Sequence, residues 1–267
     1  MDLASETRVM GILNVTPDSF SDGASYASPG EAIDAAARME AGGADFVDVG
    51  GESTRPGAAP VNAEDELRRI LPVIRGIKKQ LSVRISVDTM KAEVAAAAIA
   101  EGADLVNDVS ALGDPAMTGV LREAHVPVIV MHMRGTPRTM QTDTDYADIV
   151  AHVTEFLRAT VARAIEGGIP GDKILVDPGL GFGKSSAGSL RILRELSTLH
   201  GVGRPLVIGA SRKSFIGTAL DLPVNDRLEG SLAVAAYAAW NGACVIRAHD
   251  VRETKRVTRM IDAIGKG

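Results

Sequence analysis

KILVD at residues 173–177 sets three consecutive apolar residues, Ile174 to Val176, directly before Asp177, and Pro178-Gly179 then turns the chain. A short apolar run bounded by turn residues reads as a parallel strand buried on both faces. Seven further runs of this kind are spaced along the sequence. VMGILN at 9–14, FVDVG at 46–50, RISVD at 84–88, LVND at 105–108 and VPVIVMH at 126–132 precede it. PLVIGAS at 205–211 and ACVIRAH at 243–249 follow. Each ends on or leads into polar residues: Asn14, Glu52-Ser53-Thr54-Arg55, Asp88, Asn107-Asp108, His132, Asp177, Arg212-Lys213, and Arg247 with His249. An α/β protein keeps its site at the C-terminal ends of its strands. Eight polar ends therefore point to one composite site.

Between the runs lie segments of helical period. Ser28-Pro29-Gly30-Glu31 is a capping box with proline at the first helical position, opening a helix with Ala32, Ala35, Ala36 and Met39 on its apolar face. Asn62 caps the next, with Glu64, Asp65 and Glu66 in the first turn, where carboxylates favour the helix dipole. Leu67, Ile70, Leu71, Ile74 and Ile77 give it a buried stripe. Asp114-Pro115 starts another helix; Ile149, Val153, Phe156 and Leu157 continue the period, as do Val257, Met260, Ile261 and Ile264 near the end. Strand and helix alternate throughout, which means parallel β with crossover helices. The chain has 267 residues, close to the ~250 typical of an α/β barrel. The expected fold is α/β: a single-domain (β/α)8 TIM barrel over 1–267, active site at the C-terminal ends of its strands.

Composition narrows the function classes. Hydrophobic residues make up 45% and charged residues 24%, a globular balance. A net charge of −5 and only 3% aromatics argue against a nucleic-acid surface, and the charge also argues against an anionic membrane. No apolar stretch approaches membrane-spanning length and no signal-peptide pattern opens the sequence, so a cytoplasmic protein is expected. The single cysteine, Cys244, lies in an apolar run and reads as a small buried hydrophobe. Three long connections, from Asn14 to Pro29, Gly50 to Val61 and Arg134 to Asp145, read as binding loops or lids.

The polar ends fall into two sets. Asp88, Asn107 and Asp177 close three different strands. A carboxylate accepts two parallel hydrogen bonds, and an amide both donates and accepts. Such a trio suits a flat pterin- or guanine-like ring better than a sugar or an aliphatic acid. A metal cluster or a set of helix caps is the plainer alternative, and Asp88, just before a helix, is the obvious cap. The second set is cationic: Arg55, Lys213, Arg247 and His249, with Thr54 and Asn14 as neutral donors. Arg247 and His249 point to one side of an extended strand and suit phosphate oxygens. Pairing of Arg247 with Asp250 or Asp177 is the structural alternative. Lys213 serves equally as a cation for ring or phosphate, or as a Schiff-base amine.

Gly179-Leu180-Gly181-Phe182-Gly183-Lys184-Ser185 nearly spells a phosphate loop, but Pro178 occupies the place of its first glycine and has no N–H to offer. These glycines instead let the chain turn sharply beside a flat ligand. His132 reads as a core histidine rather than an acid–base group. Neither a zinc-ligand spacing nor a Gly-x-Ser-x-Gly elbow occurs.

The segments Gly11 to Gly23 and Asp48 to Gly57 closely resemble the two signature segments of the dihydropteroate synthase family. Ser86-Val-Asp88-Thr, Asn107-Asp108, Met131-His-Met133, Asp177 to Lys184, Ser211 to Ser214 and Arg247 to Asp250 continue the resemblance in order. It implies a folate-pathway transferase joining 6-hydroxymethyl-7,8-dihydropterin diphosphate to 4-aminobenzoate with Mg2+, in a homodimer. By that resemblance Asp88, Asn107, Asp177 and Lys213 hold the pterin. Asn14 positions the metal and the diphosphate, with Thr54, Arg247 and His249 on the phosphates. Phe20, Arg55, Pro56, Phe182 and Ser214 border the aminobenzoate. Asp22, Arg55, Asp88 and Lys213 serve the chemistry, and the first and second loops close over the site. With no insertion beside Phe20 and with Pro56 present, sensitivity to sulfonamides is expected. A methyltetrahydrofolate-dependent methyltransferase, a Schiff-base aldolase and a non-catalytic pterin-binding barrel are the alternatives.

Overall fold

The computed structural model describes residues 6–16 and 28–265. Eight parallel strands close into a barrel in chain order, β8 returning to β1. They are β1 (Arg8–Asn14), β2 (Phe46–Gly50), β3 (Arg84–Asp88), β4 (Leu105–Asp108), β5 (Val128–Met131), β6 (Ile174–Asp177), β7 (Leu206–Gly209) and β8 (Ala243–Ala248). Around them run α1 (Pro29–Ala41), α2 (Ala63–Gln80), α3 (Ala92–Ala100), α4 (Met117–Ala124), α5 (Ile149–Glu166), α6 (Ser186–Arg194), α7 (Ser214–Leu220), α8 (Leu228–Trp240) and α9 (Val251–Gly265). This is the single-domain (β/α)8 TIM barrel the alternation implies, each expected run being one strand.

The helix starts follow their caps. Ser28 Oγ accepts from the N–H of Glu31 at 3.3 Å, and Asn62 Oδ1 from that of Asp65 at 2.8 Å. Asp114-Pro115 does not itself begin a helix. The Asp114 carboxylate holds the N–H groups of Ala116 and Ala92, each at 2.9 Å, so α4 starts only at Met117 while the start of α3 is tied down. Two apolar stripes also differ from expectation. Helix α2 buries Glu66 completely beside Ile70, Ile74 and Ile77. Helix α9 packs inward through Val251, Thr254 and Thr258, leaving Met260 61% and Ile264 50% exposed. Cys244 is half-buried near the foot of β8 rather than sealed in the core.

Alternation along the strands sorts the side chains into two cores. Outward residues such as Val47, Val49, Ile85, Val87, Val106, Val128, Val130, Val176 and Ile208 pack beneath the helices. Inward residues Met10, Phe46, Leu105, Ile129, Leu175, Val207 and Val245 form a separate plug inside the barrel. Strand side chains repeat every two residues. The inward position directly above the plug is therefore Asp48 on β2, Asn107 on β4, Asp177 on β6 and Arg247 on β8. An apolar stopper thus supports a polar layer, and the sheet register sets the position of each member.

Candidate active site

Above that layer opens a cavity of about 420 Å3, whose walls include Asn14, Thr54, Arg55, Pro56, Phe182, Lys213, Ser214, Arg247 and His249. The structure thus brings together residues expected on both the phosphate and the aminobenzoate sides. Phe20 and Asp22 lie outside the described residues.

The floor is an ionic cluster around Arg247. Its Nε donates to Asp48 Oδ2 at 2.6 Å and its Nη2 to Asp88 Oδ2 at 2.8 Å. Asn107 Nδ2 donates to Asp48 Oδ2 at 3.0 Å. Arg247 therefore does not pair with Asp250, whose carboxylate is held by Arg212 through two bonds of 2.6 and 3.1 Å. Nor is Asp88 a helix cap, because its carboxylate faces Arg247 and Asp114 holds the first N–H of α3. Asp48 Oδ1, Asp88 Oδ1 and Ser86 Oγ are buried without a hydrogen-bond partner. Native proteins seldom leave such atoms unmatched, so the layer beneath the cavity holds hydrogen-bonding capacity that the protein itself does not use. Burial and the neighbouring Asp48 push the Asp88 carboxyl above the usual range, and Arg247 opposes them.

Asp177 supplies a third acid. Its Oδ1 accepts from the N–H of Gly179 at 2.6 Å, and its pKa is raised by burial against the pull of Lys213. Across from it stands Gly209, where an added Cβ would sit 3.7 Å from Arg247 Cβ and 3.8 Å from Asp177 Oδ2. Glycine there keeps the space between acid and cation open.

Lys213 sits at the mouth, its Nζ donating to the Leu180 carbonyl at 2.5 Å and lying 4.5 Å from the Phe182 ring centroid. Burial pulls its pKa down to about 8, with Asp177 acting in the other direction. The residue before it, Arg212, has φ of +57°, a conformation that costs a non-glycine residue roughly 1–2 kcal/mol. Asp250, Ser231 Oγ on its N–H at 2.9 Å and Arg227 on its carbonyl at 3.1 Å hold it there. His249 Nδ1 lies 3.0 Å from Ser211 Oγ. Burial, then the cations Arg247 and Arg212, lower its pKa to about 3, so it meets a ligand as a neutral imidazole.

The second loop is anchored at its base. Glu52 Oε1 accepts from the N–H of Val61 at 3.2 Å, and Arg69 holds the Gly51 carbonyl at 2.7 Å. Lys91 bonds both Glu52 and the buried Glu66. At its tip the N–H of Gly57 donates to the Pro137 carbonyl at 3.0 Å, joining it to the connection after β5. His132 is a core residue, as its sequence context implied: 1% exposed, with Lys184 Nζ 2.8 Å from its Nδ1.

Sequence reasoning missed four participants. Asp48, the centre of the floor, interrupts the apolar run FVDVG, and a carboxylate inside a doubly buried strand was the signal available. Glu66 looked like an ordinary dipole-favouring residue, because its partner Lys91 lies 25 positions away. Lys184 lies in a near-miss of a phosphate loop and Arg212 in the polar end after β7, and neither position reveals by itself the contacts it makes.

Residues 10–249 match the family model for pterin binding enzyme. The dihydropteroate synthase of Escherichia coli K12 is 46% identical over 259 residues, covering 97% of this chain and 92% of that protein. The structure of Yersinia pestis dihydropteroate synthase with a sulfonamide drug superposes with a TM-score of 0.96 at 42% identity, covering 100% of this chain and 97% of that one. That of the Xanthomonas albilineans dihydropteroate synthase with 4-aminobenzoic acid gives 0.93 at 41%, covering 100% and 96%. The chain belongs to the pterin-binding enzyme family and has the sequence and fold of a dihydropteroate synthase, a transferase.

Proposed function

We propose that the chain condenses 6-hydroxymethyl-7,8-dihydropterin diphosphate with 4-aminobenzoate, forming 7,8-dihydropteroate and diphosphate. The observation that carries the reading is the acidic floor, in which Asp48 and Asp88 each keep an unmatched oxygen, Asn107 bonds Asp48, and Asp177 stands in the same layer. An aminopyrimidinone ring presents adjacent N–H donors, the complement of such acceptors. Asp88, Asn107, Asp177 and Lys213 hold the ring. Thr54, Arg247 and the neutral His249 donate to the diphosphate, while Arg55, Pro56, Phe182 and Ser214 wall the aminobenzoate side with Phe20.

The reaction is dissociative. The C–O bond to the diphosphate breaks first, and the ring delocalises the cation left behind, with Asp88 and Asp22 providing negative charge. The arylamine lone pair then forms the C–N bond and a proton leaves the nitrogen. An arylamine is neutral at pH 7, so no strong base is required, and the protein acts through charge and position.

Among the described residues no cluster of three or more His, Cys, Asp or Glu side chains could hold a metal, so a divalent cation here would lean on the substrate's own phosphate oxygens. Asn14 Oδ1 and Asp88 Oδ2 each lie 3.7 Å from the point a Cβ on Gly50 would occupy, which puts two oxygens on the same side of the glycine. Mg2+ prefers few protein ligands and shares its shell with phosphate oxygens and water. Asn14 would hold the ion, which when bound neutralises the departing diphosphate.

The chain acts as a homodimer in the cytoplasm. No helix among the described residues is long and apolar enough to cross a membrane. Exposed Tyr237 and Trp240 on α8, with Met260 and Ile264 on α9, offer apolar surface for self-association.

The test is release of diphosphate from the pterin substrate, assayed with and without 4-aminobenzoate and Mg2+. Mg2+-dependent release of diphosphate, matched by 7,8-dihydropteroate when 4-aminobenzoate is present, supports the reading. Pterin binding without release would point to a non-catalytic barrel, and methyl transfer from a methylated folate to the methyltransferase. Borohydride trapping of Lys213 on a carbonyl substrate would reveal an aldolase.

A further inference from the structure

Four consecutive carbonyls in the connection between β6 and α6 each accept from a different side chain. Lys213 Nζ donates to Leu180 at 2.5 Å, Gln141 Nε2 to Gly181 at 2.9 Å, Lys184 Nζ to Phe182 at 2.8 Å and Tyr146 Oη to Gly183 at 2.7 Å. Gly179, Gly181 and Gly183 have φ of +65°, +79° and +62°, so the backbone here lacks a regular ladder and is held from outside. The packing is tight as well: a Cβ on Gly179 would lie 2.0 Å from the His132 carbonyl oxygen.

Of the four donors, Lys184 is the one whose side chain is both buried and absent from the cavity wall. It is 3% exposed, and its Nζ also lies 3.2 Å from the His132 carbonyl and 2.8 Å from His132 Nδ1. Burying an amine is costly, so one kept here without ligand contact needs a structural reason. Three partners at one atom supply it. As an ammonium, Lys184 donates to two carbonyls and to Nδ1. As a neutral amine it donates to the carbonyls and accepts from Nδ1–H. Both forms make all three contacts, so the hold survives a change in protonation.

We propose that Lys184 is a positioning residue: by fixing the Phe182 carbonyl to the end of β5, it sets the Phe182 ring beneath Lys213 and shapes the aminobenzoate side of the cavity. The inference rests on the reading that Phe182 borders the aminobenzoate. Without the Phe182 bond, the glycines on either side free that residue to rotate, while Asp177 and the floor stay fixed by the strands.

The experiment is steady-state kinetics of Lys184→Met, Lys184→Gln, Tyr146→Phe and Phe182→Ala in the full chain. Lys184→Met is expected to raise KM for 4-aminobenzoate about tenfold while KM for the pterin diphosphate moves less than about threefold. Lys184→Gln, whose amide still donates to a carbonyl, should fall between it and the unmodified protein, and serves alone if the methionine variant does not fold. Tyr146→Phe removes the pin on Gly183, which carries no ring into the cavity, and should shift neither KM by more than about twofold. Adding Phe182→Ala to Lys184→Met should raise KM no further than Phe182→Ala alone. An unchanged aminobenzoate KM in both Lys184 variants beside a raised one in Phe182→Ala overturns the positioning role but keeps the pocket. Equal changes in both KM values reduce Lys184 to general structure and also overturn it. A Phe182→Ala variant with unaltered KM removes the pocket assignment and the proposal with it.

Discussion

Arg247 Nη2 and Asp88 Oδ2 meet at 2.8 Å across the barrel interior, β8 to β3. A cation suited to phosphate oxygens is thus seated among the acids suited to the ring. The pairing has a consequence for substrate entry, since a ring that engages Asp88 competes with Arg247 and frees its guanidinium for the diphosphate. Binding of one part of the substrate would prepare the other.

Arg247→Ala leaves Asp48 and Asp88 buried without their cation, and removing one partner of a buried pair typically costs about 3–5 kcal/mol. The loss should depend on pH. A carboxyl whose folded pKa is raised above its unfolded value lowers stability increasingly as pH climbs between the two. Urea denaturation should therefore show a smaller deficit near pH 5 than near pH 8. A pH-independent deficit would show that Asp88 is not the group left exposed to the change.

Lys213 has been pulled down to about 8, so its charge is lost as pH rises through that value. If the ammonium acts on the bound pterin, the rate at saturating substrates should fall along an alkaline limb centred near there. Lys213→Arg stays charged throughout. It should lower the maximum rate yet shift the limb upward, and an unmoved limb would assign it to a group other than Lys213.

Asp177→Asn should weaken pterin binding by roughly 1.5–3 kcal/mol, the range for a hydrogen bond to a charged group. The amide oxygen still accepts from the N–H of Gly179, so the adjoining turn should persist. Calorimetry with a pterin lacking the diphosphate reads the affinity directly, and unchanged binding would place the ring elsewhere.

The barrel and most of its rim were legible because each depends on local pattern. VMGILN and KILVD read as buried strands without tertiary context, and their last residues fall at the strand ends by necessity. Ser28 and Asn62 likewise declare their helices through bonds spanning three residues. Long-range pairing was not legible. The spacing of FVDVG does not reveal that Asp48 faces Arg247 199 positions later. Arg212 looked no different from other arginines until Asp250 and its left-handed backbone were in view.

Lys91→Met should destabilise the fold by about 3–5 kcal/mol, because it leaves Glu66, fully buried, and Glu52 without their shared cation. Adding Glu66→Gln should recover part of that loss. A thermal melt in which the double variant is no better than Lys91→Met would deny Glu66 its part.

The plug and the layer above it belong to strands, whereas Arg55, Pro56 and Phe182 belong to connections. A substitution or insertion in a connection reshapes the opening without altering the register that aims Asp177 and Asn107. On the proposed assignment, the arylamine side can therefore change at the entrance while the ring side keeps its geometry. A deletion inside a strand has no such latitude: one residue lost from β6 before Asp177 would swing the carboxylate out of the barrel interior toward the helices.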